Sequence, residues 1–425
     1  MNDPDGSGSP TQHDPYLALR YGPYRALLFG GLIALVGHQM LNVAIGWELY
    51  ERTGQAISLG LVGLVQVIPV FLFSLIGGHT ADRFNRKSII IWTQVIRALS
   101  SLALVWISYT QGPEWSIYVC LFMGGVVRAF HVPARVALLP QILPPVAFSN
   151  AVTWNSSAFQ TSSIVGPAVG GLMMGWTGHA FPVYLADAAG AFVYVFSVLF
   201  IPDTSAKRQP SRMNLENVLA GARFVWNKKV LLAAVTLDMF AVLLGGAVAM
   251  LPIYAKDILD VGPTGLGWLR AAESIGSIGM ALYLAHRPPL KRAGPAMLLG
   301  VLGFGLGIIV FGLSTHFWLS IAALAFCGAC DSISVLVRHT LVQLRTPDEM
   351  RGRVSSVNTI FIASSNELGQ FESGAVASLF GPVFAVVSGG IGTILVVLGV
   401  ASIWPELRRL GPLVEEPPSE FAPSA

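Results

Sequence analysis

Pro295-Ala296-Met297-Leu298-Leu299-Gly300-Val301-Leu302-Gly303-Phe304-Gly305-Leu306-Gly307-Ile308-Ile309-Val310-Phe311-Gly312-Leu313-Ser314 contains no charged residue. A helix rises about 1.5 Å per residue, so roughly 20 such residues cross a hydrocarbon core about 30 Å thick. Working outward, eleven more stretches are similarly long and predominantly apolar: 24–49, 56–79, 88–110, 115–137, 149–175, 181–201, 230–253, 264–286, 317–338, 353–377 and 383–404. Turn residues or charge separate them, as at Glu51-Arg52-Thr53-Gly54, Gln111-Gly112-Pro113 and Gly262-Pro263. Only 12% of the 425 residues are charged and 53% are hydrophobic, whereas soluble domains carry about 25% charged residues. The expected class is an all-α membrane protein of twelve transmembrane helices.

Lys and Arg set the expected orientation. With the N-terminus in the cytosol, 21 of the 26 basic residues fall in the cytosolic tails and loops. Arg135 and Arg338 are counted there. Arg52 and Lys256 fall on the opposite face, and Arg97, Arg128 and Arg270 lie inside helices. This predicts a multi-pass membrane protein with both termini cytosolic. The polar, breaker-rich ends 1–22 and 406–425 are expected to be disordered tails, and the start lacks the basic and apolar regions of a signal peptide. The gap 204–229 separates two six-helix units, 23–203 and 230–405, and Leu215–Trp226 in it can form an amphipathic helix on the membrane surface. Cys327-Gly-Ala-Cys330 lies in an apolar helix and reads as small-residue packing rather than a redox pair.

The units repeat. A shift of 203 residues superimposes Gly125 on Gly328, Val132 on Val335, Arg135 on Arg338, Asn155 on Asn358, Ser162 on Ser365, Gly166 on Gly369 and Gly171 on Gly374. The shift spans six helices, an even number, so both units keep one orientation. Parallel repeats of this kind place a substrate site near the midplane between them.

After the second span the chain reads Gly78-His79-Thr80-Ala81-Asp82-Arg83-Phe84-Asn85-Arg86-Lys87. This resembles the major facilitator signature G-x-x-x-D-R-x-G-R-K, with Asn85 in place of the second glycine. Asn tolerates the left-handed region, so the turn is expected to survive there. The resemblance implies a gate in which Asp82 meets the start of the eleventh helix, near Arg351 and Arg353. Gly166-Pro167-Ala168-Val169-Gly170-Gly171 resembles the G-P-x-x-G-G helix-packing motif of exporters in that superfamily. Pro133–Pro140 with Asn150-Ala151 and Asn155-Ser156, and later Thr346–Val354, resemble the branch of enterobactin exporters and macrolide-efflux proteins. Thr346, Pro347 and Glu349 also have the spacing of a capping box. The resemblance covers the hydrophobic chain and is specific for branch, not for substrate.

Charges within membrane spans are costly and mark functional sites. His38, Arg97, Arg128, Asp238, Glu273, Asp331 and Glu367 are the candidate substrate or proton pathway, with Gln39 and Gln66. Arg270 and Glu273, spaced i and i+3, can neutralise each other. Asp187 and Glu372 read as wet outer-face groups, and Glu48 as a helix-end group. Asp238, in an apolar run, is the expected proton-coupling carboxylate. Arg128 and Asp331, matched by the repeat, are expected on opposing cavity walls.

The leading reading is a secondary active, proton-coupled exporter of a small organic molecule (siderophore, drug or metabolite). It would act as a monomer with protons and membrane lipid as its other partners. An importer on the same fold is the alternative, and a membrane receptor or membrane enzyme is a third. No Walker motif, metal-ligand cluster, cofactor site or nucleic-acid patch is read from the chain.

Overall fold

The computed structural model describes residues 14–203, 215–288 and 290–412. Among them there is no strand. The first unit comprises α1 (Gly22–Thr53), α2 (Ala56–Arg83), α3 (Arg86–Thr110), α4 (Trp115–Ile142), α5 (Phe148–Thr177) and α6 (Phe181–Leu199). A linker helix, α7 (Leu215–Asn227), leads to α8 (Lys229–Leu244), the short α9 (Leu251–Ile253), α10 (Gly262–Ala285), α11 (Ala293–Leu313), α12 (Phe317–Arg345), α13 (Asp348–Phe380), α14 (Pro382–Ile403) and the terminal turn α15 (Pro405–Arg408).

Among the described residues, nine stretches are long and apolar enough to cross a membrane, with Lys229–Ile258 counted as one. At the other three expected spans stand α5, α10 and α13, of 30, 24 and 33 residues. They are long enough, but more polar. The packing explains this. Within the first unit α1 lies on α5 and α6, α2 on α4, and α3 on α4 and α6. Within the second, α10 lies on α12, α11 on α12 and α14, and α8 on α13 and α14. Between units, α2 meets α13 and α5 meets α10. The polar helices form the seam and turn fewer faces to lipid.

Glycine sets the approach along that seam. A Cβ on Gly171 would stand 2.8 Å from the Gly267 Cα, and one on Gly60 3.0 Å from the Gly374 Cα. Only bare backbones come so close. Both contacts lie toward the end of the bundle that holds the α1–α2 turn. The opposite end carries the α2–α3 loop and is called the loop end below.

Several local expectations need correction. The span 230–253 is not one helix. It stops at Gly245-Gly246, passes through a 3₁₀ turn (Ala247–Met250) and α9, and ends in a π turn (Tyr254–Ile258). A glycine pair followed by Pro252 interrupts the hydrogen-bond ladder. Asn85 is not left-handed. It is extended (φ −65°, ψ 118°) and caps α3, its Oδ1 accepting from Lys87 N at 2.9 Å and Ser88 N at 3.4 Å. The capping box at Thr346 does not form. Pro347 occupies the cap position, and the buried Thr346 hydroxyl has no partner among the described residues.

The ends also differ from expectation. Residues 1–13 and 413–425 lie outside the described residues, but the adjoining segments are docked. Pro15 O accepts from Asn150 Nδ2 at 2.6 Å and from Trp154 Nε1 at 3.1 Å, pinning the N-terminal segment to α5. Ala293 N donates to Gly411 O at 3.2 Å, and Leu407 is fully buried. The expected surface helix matches α7, which is packed on protein: a Cβ on Gly221 would lie 2.7 Å from Arg353 O of α13. Cys327 and Cys330 are free thiols.

Candidate functional site

α4 supplies the cavity wall. Arg128, His131 and Arg135 follow the i, i+3, i+7 spacing of one helical face. α1 supplies His38, Gln39 and Asn42, and α3 supplies Gln94 and Arg97. These side chains border a cavity of about 480 Å³ in the first unit, which extends toward the loop end. A second cavity, of about 150 Å³, joins the units and is lined by His38, Gln66, Arg128, Arg270, Glu367 and Gln370.

Arg128 bridges the seam. Its Nη1 lies 3.1 Å from Glu367 Oε1 on α13, and its side chain is 46% exposed. Gln370 Nε2 donates to the other Glu367 oxygen at 3.4 Å. The expected opposition of Arg128 to Asp331 is therefore not found, because Glu367 takes Arg128. Asp331 sits on α12, lines neither cavity and makes no ion pair among the described residues. Arg270 and Glu273 make no direct ion pair with each other. Arg270 faces the smaller cavity instead, while Glu273 lies where α10 crosses α12 at Gly328.

Two candidates are locked inside their own units. Arg97 pairs with Asp187 and donates to Ala34 O at 2.7 Å, and Ser101 Oγ donates to Asp187 at 2.6 Å. Asp187 is fully buried, not wet. Asp238 pairs with Arg338 at 3.2 Å, both side chains nearly inaccessible, and Arg338 also donates to Asn358 at 2.9 Å. That acid lies apart from both cavities, and its partner belongs to α12, not to a loop. Glu48 is likewise internal: it pairs with Arg52 and accepts from Tyr184 at 2.6 Å. Gln39 donates to Ser163 on α5 at 3.0 Å, and Gln66 borders both cavities.

The exporter-like motif does two jobs. Gly166 and Gly170 admit α1 at Gln39 and Met40, while Gly171 admits α10 across the seam at Gly267. At the loop end, Gly78 is buried in α2, but it is the neighbouring Gly77 that is set against the α4 backbone, at Ala129. Lys87 holds the end of α6, donating to Ile201 O at 2.6 Å. Arg86 donates to Ala81 O at 3.3 Å, and Arg83 is exposed. Asp82 is half-buried and makes no ion pair among the described residues. Arg353 is exposed and, among the described residues, reaches Met350 Sδ at 3.6 Å; the Arg351 side chain lies outside the described residues. Among the described residues, no contact of Asp82 with α13 is found.

At the other end the units are latched. Tyr50 of α1 donates to Asp257 of the π turn, and Lys256 stands 5.7 Å over the Tyr50 ring.

Sequence reasoning missed Asn42, Gln94, His131 and Tyr194 as lining residues. For three of them the signal was present: Asn42 follows His38 by four, Gln94 precedes Arg97 by three, and His131 follows Arg128 by three. Tyr194, in an apolar run of α6, gave none.

Comparison with known proteins agrees with this architecture. The chain is 26% identical to the enterobactin exporter EntS of Escherichia coli O1:K1 / APEC, over 91% of this chain and 92% of that one. Its fold matches a solved POT family transporter in complex with 5-aminolevulinic acid (TM-score 0.72, 11% identity, 90% of this chain and 96% of that one). It also matches a bacterial homolog to the human lysosomal transporter Spinster in an inward-facing and unoccupied conformation (TM-score 0.71, 14% identity, 93% and 98%). The model of the transmembrane secretion effectors aligns with residues 13–418. The chain is therefore a multi-pass membrane protein of the transmembrane secretion effector family, a branch of the major facilitator transporters.

Proposed function

We propose that the protein is a proton-coupled exporter of a small organic molecule, working as a monomer by alternating access in a bacterial inner membrane. Its units are 23–203 and 230–405, joined by 204–229. The basic residues favour a cytosolic loop end with both termini on that side. On this reading the large cavity opens to the cytosol, and the glycine contacts and the Tyr50–Asp257 latch close the periplasmic side.

The observation that carries the reading is the Arg128–Glu367 pair, the one ion pair among the described residues that crosses the seam beside a cavity. A carboxylate between two units can be held by a cation or by a proton, but not well by neither. Substrate binds from the cytosol while Glu367 is ionised; a proton arriving from the periplasmic side then neutralises Glu367, frees Arg128 and displaces the substrate outward. Loss of that proton to the cytosol restores the Arg128–Glu367 pair, so one proton enters as one substrate leaves. In this scheme Asp238, sealed against Arg338, is structural. The relatives named as enterobactin exporters support the outward direction.

The test is uptake into everted membrane vesicles, with and without an imposed proton gradient, using enterobactin, a macrolide and aromatic metabolites. Gradient-dependent accumulation of one class supports the proposal. Accumulation driven in the opposite sense would make the protein an importer.

A further inference from the structure

The repeat places Arg135 of α4 where the second unit has Arg338 of α12, and the local geometry is the same. Arg135 Nη2 donates to Asn155 Oδ1 at 3.1 Å, and Arg338 Nη1 to Asn358 Oδ1 at 2.9 Å. One member of the arrangement is missing. Arg338 is neutralised by Asp238. Gly166 meets Val36 O where its repeat partner Gly369 meets Leu243 O, so the first helices of the two units are offset by 207 residues (Val36 to Leu243), and Asp238 falls on Gly31. Arg135 makes no ion pair among the described residues.

Its surroundings complete a pocket. Arg135 and Leu35 border the larger cavity, as does Tyr194. Tyr194 is 2% exposed, yet its hydroxyl has no hydrogen-bond partner among the described residues. The two polar groups are neighbours: Arg135 Nη2 and Tyr194 Cζ would each lie 3.7 Å from a Cβ on Gly31. That glycine keeps the space between them clear. On the same cavity wall Val132, Val136 and Phe159 are 50%, 68% and 55% exposed.

We infer that Arg135 and Tyr194 form an anion subsite for the head of an organic anion with an apolar body, the carboxylate or an equivalent oxyanion replacing the acid that Asp238 provides in the other unit. A guanidinium at membrane depth without a counter-ion is costly. Its planar donors suit an oxyanion, and a tyrosine hydroxyl supplies one further donor. The exposed valines and Phe159 fit the apolar body. This inference rests on the exporter reading only in taking the cavity for a substrate site.

The test uses the full chain in nanodiscs, with 2-naphthoate as the probe and 2-naphthylmethylammonium as the cation of matched shape. Binding is read by titration calorimetry. The wild type is expected to bind the naphthoate at least tenfold more tightly than the ammonium. Arg135→Gln is expected to weaken naphthoate binding at least tenfold, and so is Leu35→Asp, which sets a competing carboxylate in the same cavity wall. Leu35→Asn, of the same size but uncharged, is expected to retain binding. This pair keeps the test meaningful should Arg135→Gln fold poorly. Equal binding of naphthoate to the aspartate and asparagine variants, or of the two probes to the wild type, would overturn the subsite. Since no gradient or flux enters the measurement, a protein that binds as stated but drives no transport in vesicles refutes only the exporter reading.

Discussion

Two kinds of charge pair lie inside this bundle, and they differ in what surrounds them. Asp238 with Arg338 is closed off, with side chains 6% and 3% exposed, and the pair joins α8 to α12 within one unit. Arg128 with Glu367 joins α4 to α13 across the seam, and Arg128 is 46% exposed beside open space. The first pair has no route to water or ligand, so it holds helices in register. On the proposed reading, the second exchanges for a proton or a substrate without unfolding anything. Depth in the membrane therefore does not separate structural from working charges. The test is whether the pair lies within a unit or between units.

The comparison can be broken most forcefully at the sealed pair. Removing one partner leaves a buried charge uncompensated, at a cost of about 3–5 kcal/mol. Asp238→Asn should lower the thermal unfolding temperature and the membrane yield sharply. Combining Asp238→Leu with Arg338→Met should recover most of that loss. A stable Asp238→Asn protein that alone lost proton coupling would return Asp238 to the working class.

Next comes the glycine seam. Gly171→Leu places a branched side chain where the Gly267 backbone stands, and overpacking of this kind costs about 1–3 kcal/mol. The loss should fall on the conformation closed at that end, so vesicle transport should be abolished while the folded protein is recovered. A cysteine pair in α2 and α13 near the loop end would report the shift between conformations by its crosslinking yield.

Glu367→Gln sharpens the other side of the comparison. A part-exposed pair is worth under ~1 kcal/mol, so thermal stability should be nearly unchanged. Gradient-driven transport should fall at least about tenfold, because the exchangeable carboxyl is gone. A destabilised but active variant would show that the pair across the seam is structural too.

The smallest expected effect is at Asp82. Its substitution by Asn should leave expression intact and reduce transport a few-fold, if the gate contact that the motif implies forms when the loop end closes. Crosslinking between positions 82 and 353 that rises when substrate is added would support the gate. No crosslink under any condition would remove it.

Much of this was legible in the sequence. The apolar runs and the 203-residue repeat specify the fold, because a bilayer needs a length and a repeat needs only matching positions. Gly171 could be read as a packing residue for the same reason: nothing but a missing Cβ permits the contact. What could not be read was pairing. Arg128 has acids at several plausible depths, and the repeat pointed to Asp331. The partner is Glu367 because α2 and α13 meet at the seam and bring that face of α13 against α4, which is a property of two helices the one-dimensional pattern does not connect. Arg338 was mistaken for a loop charge because it stands at the end of an apolar run, where α12 continues seven residues further, to Arg345. Asn85 was misjudged for a different reason. Asn serves both left-handed turns and helix caps, and only the backbone angles decide between them.

The polarity of α5, α10 and α13 has a consequence for how the chain is made. A helix leaves the insertion machinery for lipid only if its residues favour the move, and these three are the least suited to doing so unaided. The seam partners of α2 and α5 are α13 and α10, both of which emerge later in synthesis. The polar faces of the first unit therefore wait, unmatched, until more than half the chain has been translated. Truncation after α8 should leave α5 poorly retained in the membrane, while α3 and α6, which find their neighbours early, should insert normally. Glycosylation-site mapping of nested truncations would detect that order of assembly.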